Sequence, residues 1–158
     1  MTAAPDELAR CYGAALRILQ HRWNSAGELR RKLRLKEFDD DAVSATLERL
    51  TSEKWLDDER FAEAFVRGRT RKRIGTLRVR RELAMAGVDS DIIDRVLAGQ
   101  RNAEAERATV LELAKKKLAI LRGRGEEDER LRQKLSAYLA RQGFETSLVI
   151  DVVRDVLR

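Results

Sequence analysis

Between Arg67 and Arg81 the sequence places Arg67, Arg69, Arg71, Lys72, Arg73, Arg78, Arg80 and Arg81, with no acid among them. Like charges this close repel each other unless an anionic partner neutralises them. On a helix ending near Ile74, positions 69, 72 and 73 share a face, and 67 and 71 lie beside each other. The chemistry on offer is phosphate neutralisation, driven by release of counterions. A second cluster is Lys115, Lys116 and Lys117, with Arg122 and Arg124. A third is Arg30, Arg31, Lys32, Arg34 and Lys36; Glu28 and Glu37 stand alongside, and it reads as a solvated helix face. A solvated face offset by Asp57, Asp58 and Glu63 is the competing reading of the first cluster, and binding is favoured over it.

Enzymatic chemistry finds no footing, and no catalytic residue, metal or cofactor is expected. There is no Gly-x-x-x-x-Gly-Lys-Ser/Thr phosphate loop. One cysteine and one histidine cannot build a zinc site. Cys11 has no His or Asn nearby in sequence to activate it and reads as a buried thiol. His21 reads as a helix C-terminal group. The acids Asp39–Asp41, Asp57–Asp58 and Glu126–Glu129 all open expected helices, where the helix dipole favours them. Trp55, Phe61 and Phe65 fall on apolar stripes and are expected to pack; Trp23 is expected to staple a helix start. No aromatic is interleaved with arginines as a base-stacking platform would be, which argues against tight, autonomous single-strand binding.

The elements that position these residues are helices. One apolar pattern occurs three times, at Leu29/Leu33, Val79/Leu83 and Leu135/Leu139. Each pair is followed after five residues by Phe38, Val88 or Phe144, and then by a second apolar stripe. Copies about 50 residues apart mean tandem supersecondary units, and an array of them offers a long surface. Nine helices are expected, in repeats spanning 1–56, 57–100 and 101–158. Pro5 suits a first helical position, and Ser25 with Glu28 forms a capping box. Gly87 and Gly143 suit helix ends, whereas Glu37 takes the corresponding place in the first repeat, so its turn is expected to be looser or differently shaped. The 158 residues carry a net charge of +6. Summed by repeat the charge is spread evenly. One cysteine excludes an intrachain disulfide and fits a reducing cytoplasm; neither a signal peptide nor a membrane span is expected.

The paired short helices invite comparison with a helix-turn-helix. Simple packing is preferred, because the last helices offer few groups suited to base edges. A helix-turn-helix-like direct DNA-binding regulator is the alternative function. It would show sequence-specific duplex affinity roughly 10³-fold or more above non-specific binding.

The segment Trp55-Leu56-Asp57-Asp58-Glu59-Arg60-Phe61-Ala62 resembles the signature of the RecX family of recombinase regulators. Gly75 with Val79-Arg80-Arg81-Glu82-Leu83 and Gly87-Val88 resembles the family's next motif. Ser25, Glu28, Leu29, Lys32 and Leu33 resemble its N-terminal repeat, and Arg141-Gln142-Gly143-Phe144 its C-terminal one. The resemblance runs in order from about Cys11 to Leu157. It implies an all-α fold of three tandem three-helix repeats in an elongated, curved array, and a cytoplasmic, monomeric, non-enzymatic protein. It implies an inhibitor of the RecA–DNA filament acting in recombination, DNA repair and the SOS response, with weak non-specific affinity for single- or double-stranded DNA. The family's contact residues have no fixed signature. The candidates therefore come from charge clustering: Arg67, Arg69, Arg71, Lys72, Arg73, Arg78, Arg80, Arg81 and Lys115–Lys117.

Overall fold

A computed structural model of the chain describes residues 3–158. Among them are nine helices: α1 (Pro5–His21), α2 (Ala26–Leu35), α3 (Asp40–Ser52), α4 (Asp58–Arg71), α5 (Thr76–Met85), α6 (Ser90–Gln100), α7 (Ala103–Arg122), α8 (Asp128–Gln142) and α9 (Thr146–Val156). They form three three-helix domains of an all-α protein. Helix α1 packs on α2 and α3, and α7 packs on α8 and α9.

Local chemistry sets the helix starts. Pro5 occupies the first turn of α1, where no N–H is needed. Ser25 Oγ accepts the Glu28 N–H at 3.0 Å and the Glu28 carboxylate accepts the Ser25 N–H, closing the capping box of α2. Asp57 caps α4 by accepting the Arg60 N–H at 3.1 Å. Asn102 caps α7 by accepting the Ala105 N–H at 3.0 Å. Asp39 stands at the N-cap of α3 but makes no side-chain capping bond.

The helix ends share one device. After α2, α5 and α8 the N–H groups of Phe38, Val88 and Phe144 donate to the carbonyls of Leu33, Leu83 and Leu139. Those of Glu37, Gly87 and Gly143 donate three residues back. This is the Schellman turn, with its left-handed residue at Glu37 (φ 65°), Gly87 (φ 79°) and Gly143 (φ 94°). Two more such turns end α3 at Lys54 (φ 62°) and α4 at Arg73 (φ 59°). Glu37 thus supports the same turn as the two glycines, not a looser one. Helix α4 stops at Arg71, so Lys72 and Arg73 belong to the turn and do not extend a helical face to Ile74.

By contacts the chain divides into two compact units. Unit 1 is Met1–Phe65 with Leu83–Val96, and unit 2 is Val66–Glu82 with Leu97–Arg158. The division falls inside α4, α5 and α6. Unit 1 holds a core of Cys11, Ala15, Leu29, Leu33, Val43 and Leu50 with their neighbours. Unit 2 holds one of Val110, Leu118, Leu131, Leu135, Leu139, Phe144 and Val152. Burying a side chain of this size stabilises by roughly 1.5–3 kcal/mol.

Within each unit a helix start meets a turn of the following repeat. In unit 1, Ser25 Oγ also donates to the Ala86 carbonyl, and the Ala26 N–H donates to Asp58 Oδ1 at 2.8 Å. Arg31 donates to the Met85 carbonyl at 2.6 Å. A Cβ on Gly27 would stand 2.8 Å from the Ala86 oxygen and from Gly87 Cα. In unit 2, the Gly75 N–H donates to the Gln142 carbonyl at 2.7 Å and the Leu77 N–H to that of Gly143 at 2.8 Å. A Cβ on Gly143 would strike Arg78. Both joints bring a glycine too close to the neighbouring repeat for a side chain to fit.

Candidate polyanion-binding site

All eleven candidate residues fall in unit 2. Arg67, Arg69 and Arg71 lie on α4, Lys72 and Arg73 on the turn, Arg78, Arg80 and Arg81 on α5, and Lys115–Lys117 on α7. The two clusters, far apart in sequence, meet through an acid. Glu112 accepts from Arg73 at 3.0 Å and from Lys116 at 3.1 Å.

The absence of acids between 67 and 81 does not extend to three dimensions. Glu82 takes Arg69 at 2.6 Å and Arg78 at 3.1 Å. Partial burial opposes the charge of Glu82, but hydrogen bonds from Arg78 and Arg69 hold its carboxyl below the ordinary range. Bonds from Lys116 and Arg73 do the same for Glu112. These two glutamates were not among the candidates, although Arg78 and Glu82 stand four residues apart on one helix, a legible signal. Their effect is to fix Arg69, Arg73, Arg78 and Lys116 in place. Lys117 lies over the Tyr138 ring, 5.2 Å from its centroid.

Arg67, Arg71, Lys72, Arg81 and Lys115 are exposed. No carboxylate within the described residues pairs with them. Four arginine and lysine heads are anchored by two glutamates, with exposed cations around them, so the charge of this surface is held in a fixed orientation.

Summed by unit, the charge is strongly polarised. Unit 2 has 21 basic and 11 acidic residues, a net +10; unit 1 has 12 and 16, a net −4; together they give the chain's +6. The even spread by repeat conceals this, because the division runs through the middle repeat. Arg67 to Arg81 fall on one side, and Asp57, Asp58, Glu59, Glu63, Asp89, Asp91 and Asp94 on the other.

The third basic cluster behaves as a helix face tied to its surroundings. Arg34 pairs with Asp40 at 2.7 Å, Lys32 donates to Asn24 Oδ1 at 2.7 Å and Arg30 to Ser44 at 3.3 Å. Cys11 is fully buried, and burial pushes its thiol above the ordinary range. One aromatic expectation fails: Phe61 is buried, but Trp55 is 61% exposed and does not pack inward. Trp23 is likewise 61% exposed. Among the described residues, no His, Cys, Asp or Glu group is arranged to hold a metal ion. No described helix is long and apolar enough to cross a membrane.

Comparison with known proteins agrees with this architecture. Residues 11–50, 57–97 and 104–153 match the first, second and third three-helix domains of RecX. A regulatory protein RecX from Chlorobium phaeobacteroides (strain BS1) is 34% identical over 150 residues, covering 94% of this chain and 95% of its own. Another, from Xanthomonas axonopodis pv. citri (strain 306), is 40% identical over 134 residues, covering 83% and 78%. The crystal structure of RecX from Lactobacillus salivarius matches the fold with a TM-score of 0.83 at 22% identity, covering 97% of this chain and 98% of that one. In sequence, repeat order and fold, this chain belongs to the RecX family of non-enzymatic regulatory proteins.

Proposed function

We propose that this chain is an inhibitory regulator that binds the RecA–DNA filament through the basic face of unit 2. The observation that carries the reading is the +10 of unit 2, with Arg69, Arg73, Arg78 and Lys116 held in place by Glu82 and Glu112. That face offers phosphate or acidic protein surface a set of pre-oriented cations. The exposed Arg71, Lys72, Arg81 and Lys115 supply the contacts with the partner. Arg69, Arg73, Arg78 and Lys116 hold the shape of the face, and Arg67, Arg80 and Lys117 extend it. The functional chain is a cytoplasmic monomer of three repeats bounded at 1–56, 57–100 and 101–158. Its affinity for bare DNA is weak and insensitive to sequence, because phosphate contacts carry no sequence information.

The test is inhibition of the DNA-dependent ATPase of RecA. Arg71→Glu with Lys72→Glu is expected to weaken inhibition while helicity by circular dichroism stays unchanged. Inhibition equal to the wild type would remove this face from the interface. A salt-titrated gel shift with specific and scrambled duplexes tests the direct DNA-binding alternative, which requires a strong preference without any partner protein.

A further inference from the structure

The strongest feature that the basic face leaves unused lies in unit 1. Trp23 and Trp55, from different helix ends, line one cleft of about 290 Å³ together with Leu19, Asn24, Lys54, Asp57 and Arg60. The Arg60 guanidinium stands 5.3 Å from the centroid of the Trp23 ring. Both rings are 61% exposed.

Exposure is unexpected at Trp55. It follows the left-handed residue of a Schellman turn, where an apolar side chain ordinarily folds back on its own helix. At the four equivalent places Phe38, Ile74, Val88 and Phe144 are all buried or half-buried. Trp55 alone stays out, and its turn places Lys54 beside it at the cost of a left-handed lysine.

The surroundings indicate what covers them. Unit 1 carries −4 overall, but this corner is locally basic. Lys54 and Arg60 line the cleft, and His21, Arg22, Lys32 and Lys36 line the adjoining hollow, which holds no carboxylate. Lys32 donates to Asn24 at 2.7 Å and so links the two hollows. The cleft holds one carboxylate, Asp57, which accepts the Arg60 N–H at 3.1 Å, and Glu28 pairs with Arg22 at 3.6 Å.

We propose that this cleft stacks unpaired bases of single-stranded DNA between Trp23 and Trp55, with Lys54 and Arg60 on the flanking phosphates. Open aromatic faces interleaved with cations bind single strands in a way that tolerates any base. Paired bases in a duplex cannot enter. The residues of this site belong to unit 1, and none of them is among those of the basic face of unit 2.

Trp23 and Trp55 are the chain's only tryptophans, so its intrinsic tryptophan emission reports this cleft directly. Titration with oligodeoxythymidylate is expected to quench it. An abasic strand of equal length and charge, and a duplex, are expected to leave it nearly unchanged. Trp23→Leu and Trp55→Leu, each checked for helicity, are each expected to weaken binding of a labelled single strand about tenfold, with duplex binding unaltered. Equal quenching by the abasic strand would reduce the site to electrostatics and overturn the proposal. An emission change with RecA alone and none with the oligonucleotide would assign the cleft to a protein and also overturn it. Wild-type inhibition of the RecA ATPase without any response to single strands would sink this proposal alone; loss of both would sink the filament reading too.

Discussion

Glu37, Gly87 and Gly143 occupy one place in three repeats, yet only two are glycine. All three are left-handed, so conformation does not separate them. Docking does: Gly87 lies against Gly27 and Gly143 against Arg78 of the preceding repeat, whereas Glu37 is exposed. Glycine at the later places is demanded by close approach as well as by φ. Glu37→Gly is therefore expected to stabilise the chain by about 0.5–1 kcal/mol, since it relieves only backbone strain; Gly143→Ala is expected to cost about 1–3 kcal/mol. Urea unfolding of the two variants checks both signs. Asp58 gives a prediction with a pH dependence. Burial, with the nearby charges of Asp57 and Glu28, raises its carboxyl above the ordinary range despite the Ala26 N–H. A raised folded-state value means that any stability from the protonated acid is present below the unfolded value and lost as pH rises through the folded one. Asp58→Asn keeps an acceptor for Ala26 and removes the half-buried charge. Its stability relative to the wild type should therefore grow from acid pH to neutrality; a constant difference would show that Asp58 does not titrate in the joint.

At the scale of elements the sequence was readable because its signals are local. The capping box at Ser25 and Glu28 formed as expected, and the five-residue step from Leu33 to Phe38, repeated twice, is the span of the Schellman bond. The end of α4 was misjudged because a left-handed arginine at position 73 carries no glycine-like mark. The joints were not legible: Ser25 Oγ to Ala86 and Gly75 to Gln142 are bonds between residues more than 60 apart, with no periodicity to announce them. Ser25 serves both the cap and the joint, so Ser25→Ala is expected to cost more than the usual cap loss of about 1 kcal/mol. Thermal unfolding would show this; a loss no larger than for Asn102→Ala, which removes a cap alone, would mean that the Ala86 bond contributes nothing.

At the scale of the whole molecule the clustering of the candidate cations was legible, and the structure gathers all of them in one unit. What sequence could not supply was the pairing of α4, α5 and α7 residues through Glu82 and Glu112, or the contrast between −4 and +10. Those depend on which halves of the middle helices pack with which unit. A protein polarised in this way should associate with a polyanionic filament with a strong salt dependence. The measurement closest to that claim is electron microscopy of RecA–single-stranded-DNA filaments with and without this chain across a range of ionic strength. Filaments decorated or shortened by the wild type at low salt, and left intact by the Arg71→Glu, Lys72→Glu variant, are the predicted result. Filaments unaltered by the wild type at every ionic strength would contradict it.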